Sequence, residues 1–156
     1  MADTAPLRDI VTVRMKEAMK SGDKVRVGAL RLIMAALKER EIEARGQGKI
    51  VSRADELALL TKMVKSRQES AAIYAGAGRA ELAAQENAEV AVINEFLPKQ
   101  MNEEETRAAI RELVASLGAT SVKDMGKVMA ALKSKYAGQL DMSKASAAVK
   151  DVLTGK

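Results

Sequence analysis

Glu86 and Glu89 stand three residues apart in the run ELAAQENAEVAVINEFLP, Glu81 to Pro98. Paired acids one helical turn apart are what general acid–base work or a hard divalent cation would use. At 100° per residue, Leu82, Glu86, Glu89, Ile93 and Leu97 share one arc of a helix, so both acids are set into an apolar stripe. A carboxylate in that position needs a partner, because an unpaired charge held away from water is expensive. The natural partners are the cations of the preceding segment, Lys62, Lys65, Arg67 and Arg79. The expected arrangement is a structural ion-pair network between two packed helices. Cation binding would need more oxygen ligands than two acids supply, and no acidic cluster elsewhere provides them. Catalysis would need one carboxyl to titrate near neutrality. No metal or cofactor is expected, and no catalytic residue is assigned.

Other chemistries are narrowed by what the chain lacks. It has no Cys and no His, which removes disulfides, thiol nucleophiles, imidazole bases and nearly every zinc, haem or iron–sulfur arrangement. A serine–lysine nucleophile is poorly served: Lys65 and Ser70 do not share a helix face, and Lys62 with Ser66 is a commonplace surface pair. Neither a P-loop nor a dinucleotide glycine pattern occurs, and Gly76-Ala-Gly78 reads as a helix terminator.

Charge points to a different kind of function. The net charge is +5, with Lys+Arg 26 against Asp+Glu 21. Residues 1–98 carry 16 cations against 14 acids, whereas 119–156 carry 7 lysines against 3 aspartates. The basic excess is therefore concentrated in the tail, where Lys123, Lys127, Lys133, Lys144 and Lys150 are the candidates for contacting nucleic acid. With only Tyr74, Phe96 and Tyr136 as aromatics, base stacking is a poor option, and contact would rest on phosphates and the shape of a folded RNA. No apolar run reaches the ~20 residues of a membrane span, and MADTAPLRDI lacks the apolar core of a secretory signal. The expected location is cytoplasmic, with no membrane partner.

The elements that must position these residues are helices throughout, since no segment shows a convincing period of two. The expected fold is all-α, an N-terminal four-helix domain over 1–98 followed by a three-helix tail domain over 99–156. The first helix is expected from about Pro6 to Lys20, capped by Thr4, with Leu7, Val11, Met15 and Met19 on one stripe. Asp23 caps a second helix, to about Ala44, whose buried face is Val27, Leu30, Met34 and Leu37. Ser52 with Asp55 opens a third, burying Leu57, Leu60, Val64 and Ala71. The fourth, about Arg79 to Phe96, sets Ala84, Ala88 and Ala91 opposite its acid-bearing stripe, as a helix sandwiched between others would. Leu97-Pro98 cuts the chain. In the tail, Asn102 with Glu105 starts a fifth helix through Ile110, Leu113, Val114 and Leu117. Ser121 with Asp124 starts a sixth along Val122, Met125, Met129, Leu132 and Tyr136, and a last one from about Ser143 buries Ala145, Ala148, Val149 and Val152.

Three stretches carry a likeness: LRLIMAALKEREIEARG from Leu30 to Gly46, the segment from Lys62 to Gln100, and GATSVKDMGKVMAALKSKYAGQLD from Gly118 to Asp141. Together they resemble the GatB/YqeY family, in its free-standing YqeY-type form, over nearly the whole chain. The resemblance implies a tail like the C-terminal end of the B subunit of glutamine-dependent aminoacyl-tRNA amidotransferase, which engages tRNA while the amide chemistry belongs to other parts of that enzyme. The family label is a carbon–nitrogen ligase with glutamine as amido-N-donor. The tail positions that match are Lys123, Asp124, Met125, Gly126, Lys127 and Val128. In the middle stretch they are Lys62, Lys65, Arg67, Ser70, Tyr74, Gly78, Arg79, Leu82, Glu86, Glu89 and Pro98. Lys123 and Lys127 are assigned to RNA, the remainder to architecture, with Gly126 allowing close approach of a helix or an RNA backbone. The implied role is a tRNA-binding accessory without chemistry of its own. The competing one is a protein–protein adaptor docking on a tRNA-processing enzyme, such as an aminoacyl-tRNA synthetase or the amidotransferase.

Overall fold

The computed structural model describes residues 5–155. Its chain is helical, with seven α-helices and no strand among the described residues. It forms two compact units, Met1–Leu97 and Pro98–Lys156. The first holds α1 (Leu7–Ser21), α2 (Lys24–Gly46), α3 (Arg53–Gly76) and α4 (Ala80–Asn94). The second holds α5 (Glu103–Leu117), a 3-10 turn at Val122–Asp124, α6 (Met125–Lys135) and α7 (Met142–Leu153). No described helix is long and apolar enough to cross a membrane.

Local chemistry sets most of the boundaries. Gly22 ends α1 in the left-handed region at φ 76°, a conformation that costs a glycine nothing. Asp23 then accepts the Arg26 N–H at 3.0 Å and starts α2. Ser52 and Asp55 exchange bonds of 3.1 Å at the head of α3, each satisfying a backbone N–H that the first turn would leave unpaired. Asn102 and Glu105 do the same at α5, at 2.7 and 3.1 Å. The expected cap of α1, Thr4, lies outside the described residues.

The core of the first unit collects Leu7 and Val11 from α1, Leu30, Ile33 and Leu37 from α2, Leu60 from α3, and Val92 and Ile93 from α4. Within this unit α2 packs against all three other helices. Of the α3 positions expected to be buried, Leu60 and Ala71 are buried while Leu57 and Val64 are half-buried against the core. Met19 does not belong to the α1 stripe: it is 56% exposed and Ala18 is buried in its place. Nor is α4 sandwiched, since Ala84 and Ala91 face solvent and its contacts run to α3 and α2.

In the second unit, Ile110, Leu113, Val128, Leu132, Leu140, Ala145 and Val149 form the core. The segment entering α5 is stitched to the α6–α7 loop: Gln100 Nε2 donates to Gly138 O at 2.6 Å, and Met101 N–H to Gln139 O at 2.7 Å. Here too one stripe shifts. The Ser121/Asp124 box caps the 3-10 turn, not α6 itself, so Val122 is exposed and Val128 is the residue that reaches the core. Leu117 also lies exposed at the end of α5.

Because Leu132 is fully buried, Leu132→Ala should lower the unfolding free energy by about 2–5 kcal/mol. Met19→Ala should change it by no more than about 0.5 kcal/mol. Urea denaturation followed by circular dichroism measures both, and an equal cost for the two would contradict the assignment of Met19 to the surface.

Candidate nucleic-acid interface

Of the six residues expected in the ion-pair network, the fold brings one pair together. Arg67 Nε donates to Glu89 Oε2 at 3.0 Å, tying α3 to α4 across side chains that are 17% and 15% exposed. The Arg67 guanidinium also reaches the Met63 carbonyl at 3.4 Å. Arg79 does not join them. It sits at the N-cap of α4, where the helix start turns it toward Glu81 at 3.5 Å, both side chains exposed. Lys62 is exposed, Lys65 and Glu86 are half-buried, and Glu86 forms no salt bridge with a described residue. The pair is thus a brace of low exposure with a surface pair beside it. Among the described residues no three carboxylates stand close enough together to hold a metal ion.

All five tail lysines are exposed, and they divide by helix end. Lys123 in the 3-10 turn and Lys127 in the first turn of α6 lie four residues apart at the positive end of that helix. Between them Asp124 is held by the backbone, accepting the Thr120 N–H at 2.9 Å and the Ser121 N–H at 3.3 Å. Those bonds, with Lys127 nearby, hold its carboxyl below the usual aspartate range. Lys133 and Lys150 sit in the last turns of α6 and α7, where a cation complements the negative helix end. Lys144 faces a different setting, a cleft of about 590 Å³ between α5 and α7 that also holds Arg107, Glu103, Asp141 and Asp151. Lys123, Lys127, Lys144 and Lys150 form no salt bridge with a described residue. Gly126, between the first two, is exposed, and a Cβ built there would meet nothing within 4 Å. Among the described residues, then, no helix approaches closely there.

A cleft in the first unit has no counterpart among the sequence expectations. It spans about 750 Å³ and is lined by Arg8, Arg45, Lys49 and Arg53 together with Glu41 and Glu56. Glu41 accepts from Arg8 at 2.8 Å and from Arg45 at 3.3 Å. Burial pushes the Glu56 carboxyl above its ordinary value, against the pull of Arg53 and of a bond from the Leu7 N–H. These residues come from three helices and a loop, so no local spacing marks them.

A family model described as Yqey-like protein matches residues 8–153. The chain belongs to this Yqey-like family. Comparison with curated proteins gives no match. The match runs from the second residue of α1 to the last of α7, so both units of this Yqey-like protein fall within it.

Two measurements follow from the electrostatics of the Yqey-like protein. A double-mutant cycle on Arg67→Met and Glu89→Gln should show a coupling of about 1–3 kcal/mol, against less than about 0.5 kcal/mol for Arg79 with Glu81. The second concerns acid. A carboxyl whose folded-state pKa is depressed stabilises the fold above its unfolded pKa and loses that contribution as pH falls through the folded value. Asp124→Asn should therefore be less stable than the parent at pH 7, and the gap should close on acidification below about pH 4. A gap that widens in acid would refute the assignment.

Proposed function

We propose that this Yqey-like protein is a cytoplasmic helical accessory that binds tRNA through its second unit and performs no chemistry of its own. In this reading it is related to the glutamine-dependent aminoacyl-tRNA amidotransferase, whose carbon–nitrogen ligase label it shares by family association. The supporting observation is the Lys123/Lys127 pair. Both ammonium groups are exposed at the positive end of α6, without a described carboxylate in salt-bridge range, beside a glycine that leaves the surface between them open. A phosphate backbone can approach such a surface closely, drawn by charge and by the helix end together. The distribution of charge agrees, since Lys123, Lys127, Lys133, Lys135, Lys144 and Lys150 are all exposed. Lys144, placed among Glu103, Asp141 and Asp151, contributes less.

Filter binding of purified tRNA across a salt series tests this. Affinity should fall steeply with salt, and replacing Lys123 and Lys127 together by alanine should reduce the slope of log K against log salt by about two. Lys144→Ala should change it by less. Superimposable curves for the double variant and the parent would sink the proposal. So would glutamine hydrolysis by the purified protein that depends on Glu86 or Glu89.

A further inference from the structure

Among the described residues α2 carries three of the large apolar side chains that lie exposed, and it has two apolar faces. One is buried: Val27, Leu30, Ile33, Leu37 and Ala44 form its contribution to the core. On the opposite side, Val25, Gly28, Leu32, Ala35 and Ile42 lie within about 100° of arc, and all five are exposed. Val25 is 62% exposed, Leu32 43% and Ile42 58%. Their spacing of three and four residues is the a/d pattern of a helix seam, interrupted once by Glu39.

A row of cations runs along one flank of that stripe. Lys24, Arg31, Lys38 and Arg45 recur every seven residues, at about 10 Å intervals along the axis. All four are exposed, and Arg45 also reaches Glu41 at 3.3 Å. The other flank carries Ala29, Ala36 and Glu43. An apolar seam edged on one side by a single sign of charge is the complement of an amphipathic helix with acidic flanks.

We infer that α2 docks an acidic amphipathic helix of another protein along Val25, Leu32 and Ile42, with Lys24, Arg31, Lys38 and Arg45 pairing its carboxylates. A second copy of this chain fits less well. Antiparallel pairing would set the two cation rows against each other, and parallel pairing would offer each row Ala29, Ala36 and Glu43, one acid for four cations. A polynucleotide would match the cations but leave the stripe in water. The inference stands apart from the tRNA reading, because the surface lies in the first unit and uses none of the tail lysines.

The probe is a fluorescently labelled peptide of about four heptads with Leu at a and d and Glu at e and g, its control the same peptide with Lys for Glu. Fluorescence anisotropy with the full-length protein should show the acidic peptide binding at least tenfold more tightly than the basic one. Leu32→Glu should weaken that binding at least tenfold while the thermal unfolding curve stays in place. Reversing Lys24, Arg31 and Lys38 to Glu should transfer the preference to the basic peptide while the thermal unfolding curve stays cooperative, and adding Leu32→Glu to that variant should abolish the binding. Equal binding of the two peptides, or indifference to Leu32→Glu, overturns the inference. It is also overturned if the reversal abolishes tRNA binding while Leu32→Glu is silent, which marks an RNA surface. Concentration-dependent dimerisation lost in Leu32→Glu assigns the face to a second copy and overturns it equally.

Discussion

Burial of the inner face of α2 is the constraint on which the first unit depends. Leu30 and Ile33 are fully buried, and they sit in one cluster with residues from α1, α3 and α4. The neighbouring helices are amphipathic segments whose packing, more than their intrinsic propensity, keeps them helical. α1 and α4 pack on α2, while α3 packs chiefly on α4, and α2 contributes its buried face along a helix of 23 residues, from Lys24 to Gly46. Once that side is committed to the core, everything else the helix carries must face outward. Its outer stripe of Val25, Leu32 and Ile42 is therefore not a packing failure of this unit, since the same helix has already supplied the core it needs.

Charge is arranged on the same logic. Arg67 and Glu89, the salt-bridged pair between α3 and α4, have low exposure and answer each other, and losing one partner would leave the other charged in a poorly solvated site. Arg26 and Glu95 form a second link, a two-pronged pair from α2 to the residue that follows α4, with one prong at 2.9 Å. That link holds the exit of α4 where the chain turns toward Pro98. The tail lysines are the opposite case. Lys123, Lys127, Lys144 and Lys150 are exposed and form no salt bridge with a described residue, so their charge is turned to solvent.

What was legible in the sequence was local. Capping by Ser52 with Asp55 and Asn102 with Glu105 depends on neighbours within a few residues, and the structure has both pairs where their spacing puts them. The misplaced residues sit at the ends of their stripes. Met19 continues the four-residue spacing of Leu7, Val11 and Met15, but that row turns about 40° around the helix at each step, so it leaves the buried face and Ala18, which projects between Leu7 and Val11, is buried instead. Val122 was aligned with Leu132 as though one α-helix joined them. The α-helix begins only at Met125, so Val122 lies beyond the element that carries the stripe into the core, and Val128, four residues before Leu132 on α6, reaches it instead. The cleft around Glu41 and Glu56 was invisible because its lining is assembled from separate elements.

The candidate site was legible in composition and not in geometry. A count of lysines locates the tail, but the five belong to different helix ends, and only Lys123 and Lys127 share the start of one helix without an acidic cleft around them. Seven-residue recurrence on α2 was equally open to inspection, yet it is informative only when the opposite face is known to be buried. An apolar residue in a long helix is ambiguous between core and surface until three-dimensional packing assigns it. Val25, Leu32 and Ile42 pass from ordinary core candidates to an exposed seam solely because Leu30, Ile33 and Leu37 occupy the interior. The outward chemistry of this protein is thus defined by subtraction, as what remains of each helix after its core contacts are satisfied.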